Sequence, residues 1–261
     1  MSLLRAVVSL AGLLAVAARQ ASAQDNYEIQ VYASETVAPG TTMFELHSNF
    51  TADGRRTVQD GLWPTEHAEH ETLEITHGFT SWFEVGSYLF TYIDATRGWQ
   101  WVGDHIRPRV RAPESWGLPI GLSLSTEIGY QRREVSTDTW TWEIRPIIDQ
   151  QIGRVYWSIN PALDRSFKGP SVSKGLEFSP DATVGVDLTK NKKYNVALEY
   201  YGALGPVTNW DPYNQQQHQL FLALNVDFGP AWEFNAGVGN GWTAATDHVI
   251  IKTILGRRMP F

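Results

Sequence analysis

The sequence contains no cysteine among its 261 residues, so disulfides cannot hold this chain together. Long apolar runs are also missing. The apolar stretch from Ala6 to Ala18 has 13 residues and no later segment approaches that length, whereas a membrane-spanning helix needs about 20. A helical membrane protein is therefore not expected.

Basic runs and basic-aromatic patches are absent as well, and the formal net charge is −7. A surface of this kind does not suit a nucleic-acid backbone, so no nucleic-acid partner is predicted. No Pro/Ser-rich linker or low-complexity segment divides the chain. We therefore expect one large domain.

The N-terminus has the pattern of a cleavable export signal. Arg5 precedes the apolar stretch, and Ala21-Ser22-Ala23 follows it as an A-x-A cleavage site. Residues 1–23 are predicted to be the signal peptide, which leaves Gln24 as the first residue of the exported protein. No cofactor is predicted.

Alternation with a period of two dominates the rest of the chain, as expected for half-buried β-strands. Between Thr139 and Asp149 one face carries Trp140, Trp142, Ile144, Pro146 and Ile148, whereas the other carries Thr141, Glu143, Arg145 and Asp149. Segments 118–131 and 219–228 repeat the pattern. Each is about as long as a tilted membrane-spanning strand, roughly 9 to 11 residues.

Twelve such segments follow one another after residue 40, at 41–50, 70–78, 82–92, 99–111, 119–132, 138–149, 154–164, 174–187, 194–204, 216–227, 231–243 and 246–258. They predict an all-β fold, an antiparallel transmembrane β-barrel of about 12 strands occupying residues 41–261, with 10 and 14 strands as alternatives. Residues 24–40 are predicted to be a periplasmic N-terminal lead-in or an extra strand. Pro146 and Pro161 fall inside strands, where each removes a hydrogen-bond donor.

The last segment carries Ile251, Thr253, Leu255, Arg257, Met259 and Phe261 at alternating positions. A final strand that ends in an aromatic residue resembles Gram-negative outer-membrane β-barrels of the porin type. The hairpin from Gly78 to Gly86 is similar to one in uncharacterised outer-membrane families, including one named for a phenol-degradation pathway. The resemblance implies a location in the cell outer membrane, contact with its lipid, and Phe261 as a signal read by the outer-membrane assembly machinery.

The polar face of each strand is predicted to line the barrel interior. On the strand from Trp99 to Arg111, alternation places four basic side chains on one face. Cross-strand pairing brings carboxylates beside them, so we expect an internal ion-pair network. The predicted lumen-lining residues are His105, Arg107, Arg109, Arg111, Glu127, Glu143, Arg145, Asp149, Asp164, Glu199 and Asp227, with Lys252 and Arg258 as further bases.

Three functions compete for this pattern. The preferred one is a passive channel for small solutes through the charge-lined lumen. A barrel of intermediate size could instead be filled by its own side chains and have only a structural role. The third is an outer-membrane lipid-modifying hydrolase.

No catalytic residue is predicted. The sequence contains no G-x-S-x-G motif, and neighbouring His47 and Ser48 point to opposite faces of a strand, so we expect a protein that is not an enzyme. No metal site is predicted either. His67 and His70, with the nearby glutamates, are interpreted as part of a solvated acidic loop.

Overall fold

Twelve long strands make up most of the protein, and the computed structural model describes residues 26–260. In chain order the strands are β1 (Thr41–Asp53), β2 (Glu69–Thr80), β3 (Phe83–Asp94), β4 (Gly98–Arg111), β5 (Gly121–Gln131), β6 (Trp140–Ile152), β7 (Val155–Lys168), β8 (Leu176–Asp187), β9 (Tyr194–Ala203), the two-residue β10 (Gly205–Pro206), β11 (Gln217–Asp227), β12 (Trp232–Gly241) and β13 (Val249–Pro260). Short 3-10 turns occur at Glu114–Trp116, Pro170–Lys174 and Tyr213–Gln215. Between residues 26 and 260, no helix has the length and apolar character needed to cross a membrane.

The long strands form one closed antiparallel sheet. Each pairs with the next long strand along the chain, and β13 returns to pair with β1 from Thr41↔Pro260 to Asp53↔Val249. The two-residue β10 pairs only with β8 and is not one of the barrel staves. The predicted all-β barrel of twelve strands is confirmed, and the alternatives of 10 and 14 strands are excluded.

The two faces of the wall differ as the alternation predicts. On β11, Leu220, Leu222 and Leu224 are 44%, 60% and 38% exposed, whereas the intervening Phe221 and Ala223 are buried. The barrel therefore presents an apolar outer surface and encloses the alternate side chains.

The two ends of the barrel differ in their connections. Two-residue turns at 81–82 and 153–154 lie at the end where β1 begins and β13 ends, whereas loops 54–68 and 204–216 lie at the other end. Short turns face the periplasm in outer-membrane barrels, so the long loops are assigned to the outer side. The nine-residue connection 112–120 is the exception at the periplasmic end.

Exposed aromatic side chains lie near both ends of the barrel. Trp82, Trp116 and Trp232 are exposed at the periplasmic end, and Trp99, Trp140 and Trp242 are exposed at the outer end. Tyr92 is not part of these exposed groups, because it points inward, is 1% exposed and contacts Trp63. Its direction follows from alternation along β3, where Tyr88 and Phe90 are buried on the same face.

The prolines inside strands interrupt one ladder. The pairing of β6 with β7 stops after Ile144↔Leu163 and resumes at Ile148↔Ile159. Pro146 and Pro161 would face each other inside this gap. Because neither proline has an N–H to donate, the two strands keep their register but lose the hydrogen bonds between these points.

The chain before β1 lies inside the barrel, so the predicted periplasmic lead-in or extra strand is wrong for its described part. The Asn26 amide donates to Asp247 in an outer loop at 2.7 Å, whereas the Val37 N–H donates to Glu84 near a periplasmic turn at 2.6 Å. We call residues 26–37 the lumen segment. It has no strand partner, because its backbone bonds to side chains of the wall.

A charge on the outer surface at mid-strand should destabilise the barrel strongly. We expect Leu222→Arg to lower the free energy of unfolding in lipid bilayers by roughly 2–4 kcal/mol, because no water solvates a guanidinium at that depth. Leu188→Arg, in the turn after β8, is the matched control and should cost only about 0–1 kcal/mol. Denaturant titration of both variants measures the difference, and equal costs would contradict the placement of this face in lipid.

Candidate functional site

Nine of the predicted lumen-lining residues point into the barrel or line its cavities. They are His105, Arg107, Arg109, Glu127, Glu143, Arg145, Asp149, Asp164 and Glu199, and each is buried or half-buried. Lys252 is also interior, with 1% of its surface exposed.

Two predicted residues lie at the periplasmic rim instead. Asp227 is exposed and accepts the Gly229 N–H at 2.7 Å, so its carboxylate closes a turn at the periplasmic edge of an interior cavity. Arg111 is half-buried at the end of β4 and pairs with the exposed Glu114 at 3.4 Å. Alternation predicts the face of a side chain but does not show where along a strand the lumen ends, so these two residues at correctly predicted strand ends lie nearer the rim than expected.

The centre of the interior is a network of buried ion pairs around Arg107. Its Nη2 lies 2.6 Å from Glu74 and its Nη1 lies 3.4 Å from Glu84, while its Nε donates to the Tyr88 hydroxyl. Arg109 also pairs with Glu84, at 2.6 Å. Taking each ion out of water costs several kcal/mol, which close pairing on several sides must offset.

A second pair lies beside this network on β6 and β8. Arg145 donates two hydrogen bonds to Glu143, at 2.7 and 2.6 Å, and its Nη1 lies 3.6 Å from Asp181. The planar guanidinium suits such a two-point contact with a carboxylate. Arg145 is therefore held in place on the wall.

The ring of Tyr32 lies among all three guanidinium groups. The centre of the ring is 4.8 Å from the guanidinium carbon of Arg107, 5.1 Å from that of Arg145 and 5.9 Å from that of Arg109. The negative face of an aromatic ring attracts cations, and the attraction is larger where water is excluded. Three arginines of the barrel wall thus hold an aromatic side chain of the lumen segment.

The wall also binds the backbone on either side of Tyr32. The Tyr32 N–H donates to Asn160 at 2.7 Å, and the Ser34 N–H and hydroxyl both donate to Asp149 at 2.7 Å. Arg109 donates to the carbonyl groups of Ala33 and Glu35 at 3.0 and 2.7 Å. Asp149 therefore has a specific role in holding the lumen segment.

Lys252 also binds the backbone of the lumen segment, at a point nearer the outer end of the barrel. Its ammonium donates to the Ile29 carbonyl at 3.0 Å and to Glu199 at 2.5 Å, and lies 5.6 Å from the Phe221 ring centre. Arg258 pairs instead with Glu233 near the periplasmic rim. The lumen segment is thus bound from several sides of the barrel.

Two cavities remain inside the barrel. The outer one, of about 200 Å³, includes Asn26, Tyr27 and Glu28 of the lumen segment in its lining. The inner one, of about 270 Å³, includes Gln30 and Val31. The lumen segment therefore contributes to both cavities and occupies the space between them.

The outer cavity, here called the vestibule, is predominantly acidic. Seven carboxylate side chains and three guanidinium groups line it. Trp63 of loop 54–68 is part of this lining, and its backbone N–H donates to the backbone carbonyl of Glu134 at 2.7 Å. In the same loop, a hydrogen bond from the Gly54 N–H lowers the pKa of the Glu66 carboxyl, which therefore remains ionised at neutral pH.

Sequence reasoning missed several members of the network. Glu74, Glu84, His47 and Asp181 are all at most 1% exposed, yet none was among the predicted lumen residues. Alternation could have found Glu74, since its neighbours Leu73 and Ile75 are both exposed. No sequence signal placed Tyr32 in the lumen.

Loss of Arg107 should destabilise the barrel, because Glu74 and Glu84 would remain buried with less compensating charge. We expect Arg107→Ala to lower the free energy of unfolding by about 3–5 kcal/mol. Arg111→Ala is the control and should cost under about 1 kcal/mol, since its pair is at the surface. Denaturant titration in bilayers compares them, and a neutral Arg107→Ala would show that the pairs are not required for stability.

A closed antiparallel barrel with an apolar outer surface and a charged interior is the architecture of an outer-membrane β-barrel. No family model matches the sequence, and no curated protein matches it. Solved structures do match. The COG4313 outer membrane channel from Pseudomonas putida F1 aligns with a TM-score of 0.58 and 8% identity, over 89% of this chain and 100% of that one.

Two porins of known structure have similar TM-scores. The NanC porin aligns with a TM-score of 0.56 and 8% identity, and the KdgM porin with 0.53 and 9%, each over 84% of this chain and 99% of its own. The protein therefore has the outer-membrane barrel fold found in porins and channels, and this fold implies an outer-membrane location. The predicted signal peptide 1–23 and Phe261 lie outside the described residues.

Proposed function

We propose that the protein is a passive outer-membrane channel for small solutes, with the lumen segment controlling the width of its path. The observation that carries this proposal is the polar lining of the interior, with one cavity towards each end. A barrel interior that only fills space would favour apolar packing, because buried ion pairs add little stability beyond that of apolar side chains of similar volume.

The way in which the lumen segment is held supports the same function. Its backbone contacts are mostly hydrogen bonds to wall side chains such as Asn160, Asp149 and Arg109. Water can replace such bonds at a net cost of about 0.5–1.5 kcal/mol each for a neutral partner such as Asn160 and about 1.5–3 kcal/mol each for a charged one. A polar segment held in this way is compatible with hydrated solutes passing beside it or after its displacement.

The charge of the vestibule favours cations over anions. Seven carboxylates against three guanidinium groups give a negative field at the outer entrance. The three arginines of the interior, in contrast, are already paired with carboxylates of the wall, which are Glu74, Glu84 and Glu143. The acidic vestibule, rather than these paired arginines, is therefore proposed to set the preference for cations over anions.

Two alternatives remain from the sequence. A filled structural barrel would have to contain the same buried ion pairs although they gain little over apolar packing, and a conductance measurement distinguishes it from a channel. A lipid hydrolase would need a nucleophile beside a base. His47 is fully buried inside the wall, with its Nε2 3.6 Å from Glu74, while Ser48 belongs to the opposite face of β1, so this pair offers no such arrangement.

Releasing Tyr32 should widen the path. In planar bilayers we expect Tyr32→Ala to give larger or more frequent conductance steps than the unmodified protein, because the three guanidinium groups lose their shared ring. Tyr32→Phe retains the ring and is the control, expected to resemble the unmodified protein. Deletion of residues 26–37 should increase conductance further. If the folded deletion variant, verified by heat-modifiable gel migration, is silent, the channel proposal fails in favour of a filled barrel.

Reversing one charge at the vestibule should weaken the preference for cations. We expect Glu134→Lys to reduce the cation-to-anion permeability ratio by roughly fivefold or more, since each unit of charge near a hydrated surface changes a local ion energy by about 1 kcal/mol and the substitution changes two units. Glu114→Lys, at the periplasmic rim, is the control and should change the ratio less. Reversal potentials in a salt gradient measure both, and equal effects would remove the vestibule as the selective region.

A further inference from the structure

A group of three potential metal ligands connects the lumen segment to the barrel wall. Glu28 belongs to the segment, His105 to β4 and Glu127 to β5, and one ligand atom from each lies within 4.8 Å of the other two. This is the one such group found among residues 26–260. All three residues line the vestibule.

The fold holds the imidazole of His105 in a defined position. His105 pairs across the sheet with Gly129, where any Cβ would collide with the His105 ring. On its other side the ring meets Phe90 edge to face, with 4.7 Å between ring centres. The ring therefore lies over a glycine and is directed along β5 to Glu127, where Nδ1 is 2.5 Å from Oε1.

Glu28 brings a second carboxylate to the same place. Its Oε1 is buried and has no hydrogen-bond partner among the described residues. Arg145, another residue lining the vestibule, donates two hydrogen bonds to Glu143. Two carboxylates at this separation repel one another, and a divalent cation between them would offset that repulsion.

We propose that Glu28, His105 and Glu127 form a binding site for a divalent transition-metal ion of the zinc type. One imidazole nitrogen and two carboxylate oxygens suit such an ion, whereas Ca²⁺ and Mg²⁺ prefer sites of oxygen alone. Bond lengths of about 2.0–2.2 Å require the ligand atoms to be closer than 4.8 Å, roughly 3.4 Å apart in tetrahedral geometry. Metal binding at this spacing would therefore replace the 2.5 Å hydrogen bond between His105 and Glu127 and draw the more distant ligand atoms together.

The position of this site gives it a consequence for the lumen segment. A metal bound there links Glu28 to two strands of the wall, so it fastens the outer part of the segment in addition to the contacts of Tyr32. A fourth coordination position would face the vestibule and admit water or a solute group. The site is independent of the proposed channel function, because metal binding requires no conductance.

Calorimetric titration with Zn²⁺ tests the site directly. Tag-free full-length protein in detergent, treated with a chelator and returned to pH 7, should bind one ion per barrel. We expect His105→Gln and Glu28→Gln each to weaken binding by at least about 100-fold, the upper range for loss of an outer-shell partner. Gly129→Ala retains all three ligands but displaces the imidazole, so it should weaken binding as well.

His67→Gln is the matched control, because the exposed His67 lies 3.8 Å from the half-buried carboxylate of Glu66 in loop 54–68. It should bind Zn²⁺ like the unmodified protein. Heat-modifiable gel migration verifies that each variant is folded. The proposal is overturned if the unmodified protein does not bind Zn²⁺, or if binding survives both His105→Gln and Glu28→Gln.

Discussion

The structure depends on one constraint, which is that a sheet inside a bilayer cannot leave backbone hydrogen-bonding groups unpaired. The pairing of β1 with β13 satisfies it by closing the ring. Because the number of strands is even, the start of β1 and the end of β13 lie on the same side of the membrane. Closure also separates two environments completely. Because successive side chains point to opposite faces, every strand then contributes alternately to lipid and to the interior.

Ionisable side chains inside such a barrel must be compensated locally. Arg107, Arg109 and Arg145 meet carboxylates of their own or nearby strands, and the lumen segment completes their surroundings with the Tyr32 ring and its backbone carbonyls. The dependence is mutual. An extended chain without a strand partner needs donors and acceptors for its own peptide groups, and the charged wall provides them.

This arrangement relates the fold to the proposed function. The lumen segment divides the interior into an acidic vestibule and an inner cavity, and its backbone is bound by polar contacts that water can replace. A barrel filled by apolar packing would have no comparable route for hydrated solutes. The proposed metal site at Glu28, His105 and Glu127 adds a contact between segment and wall whose strength depends on a bound ion.

Most of the wall could be predicted from the sequence, since the strand segments and the facing of residues such as Arg107 and Glu127 follow from alternation alone. The depth of each side chain in the barrel could not be predicted, since alternation carries no information about it, and Asp227 and Arg111 lie at the rim. The register shift between β3 and β4 could not be predicted either, because no composition or period indicates a β-bulge.

The sequence by itself determined the class of fold, the number of strands and which face of each strand is polar, because these depend on local periodicity and on the requirement for closure. Only the tertiary structure decided what the polar faces meet. The course of residues 26–37 through the lumen, the three arginines around Tyr32 and the approach of Glu28 to His105 join parts of the chain far apart in sequence. Contacts of that kind depend on the shape of the enclosed space, which exists only once the barrel has closed.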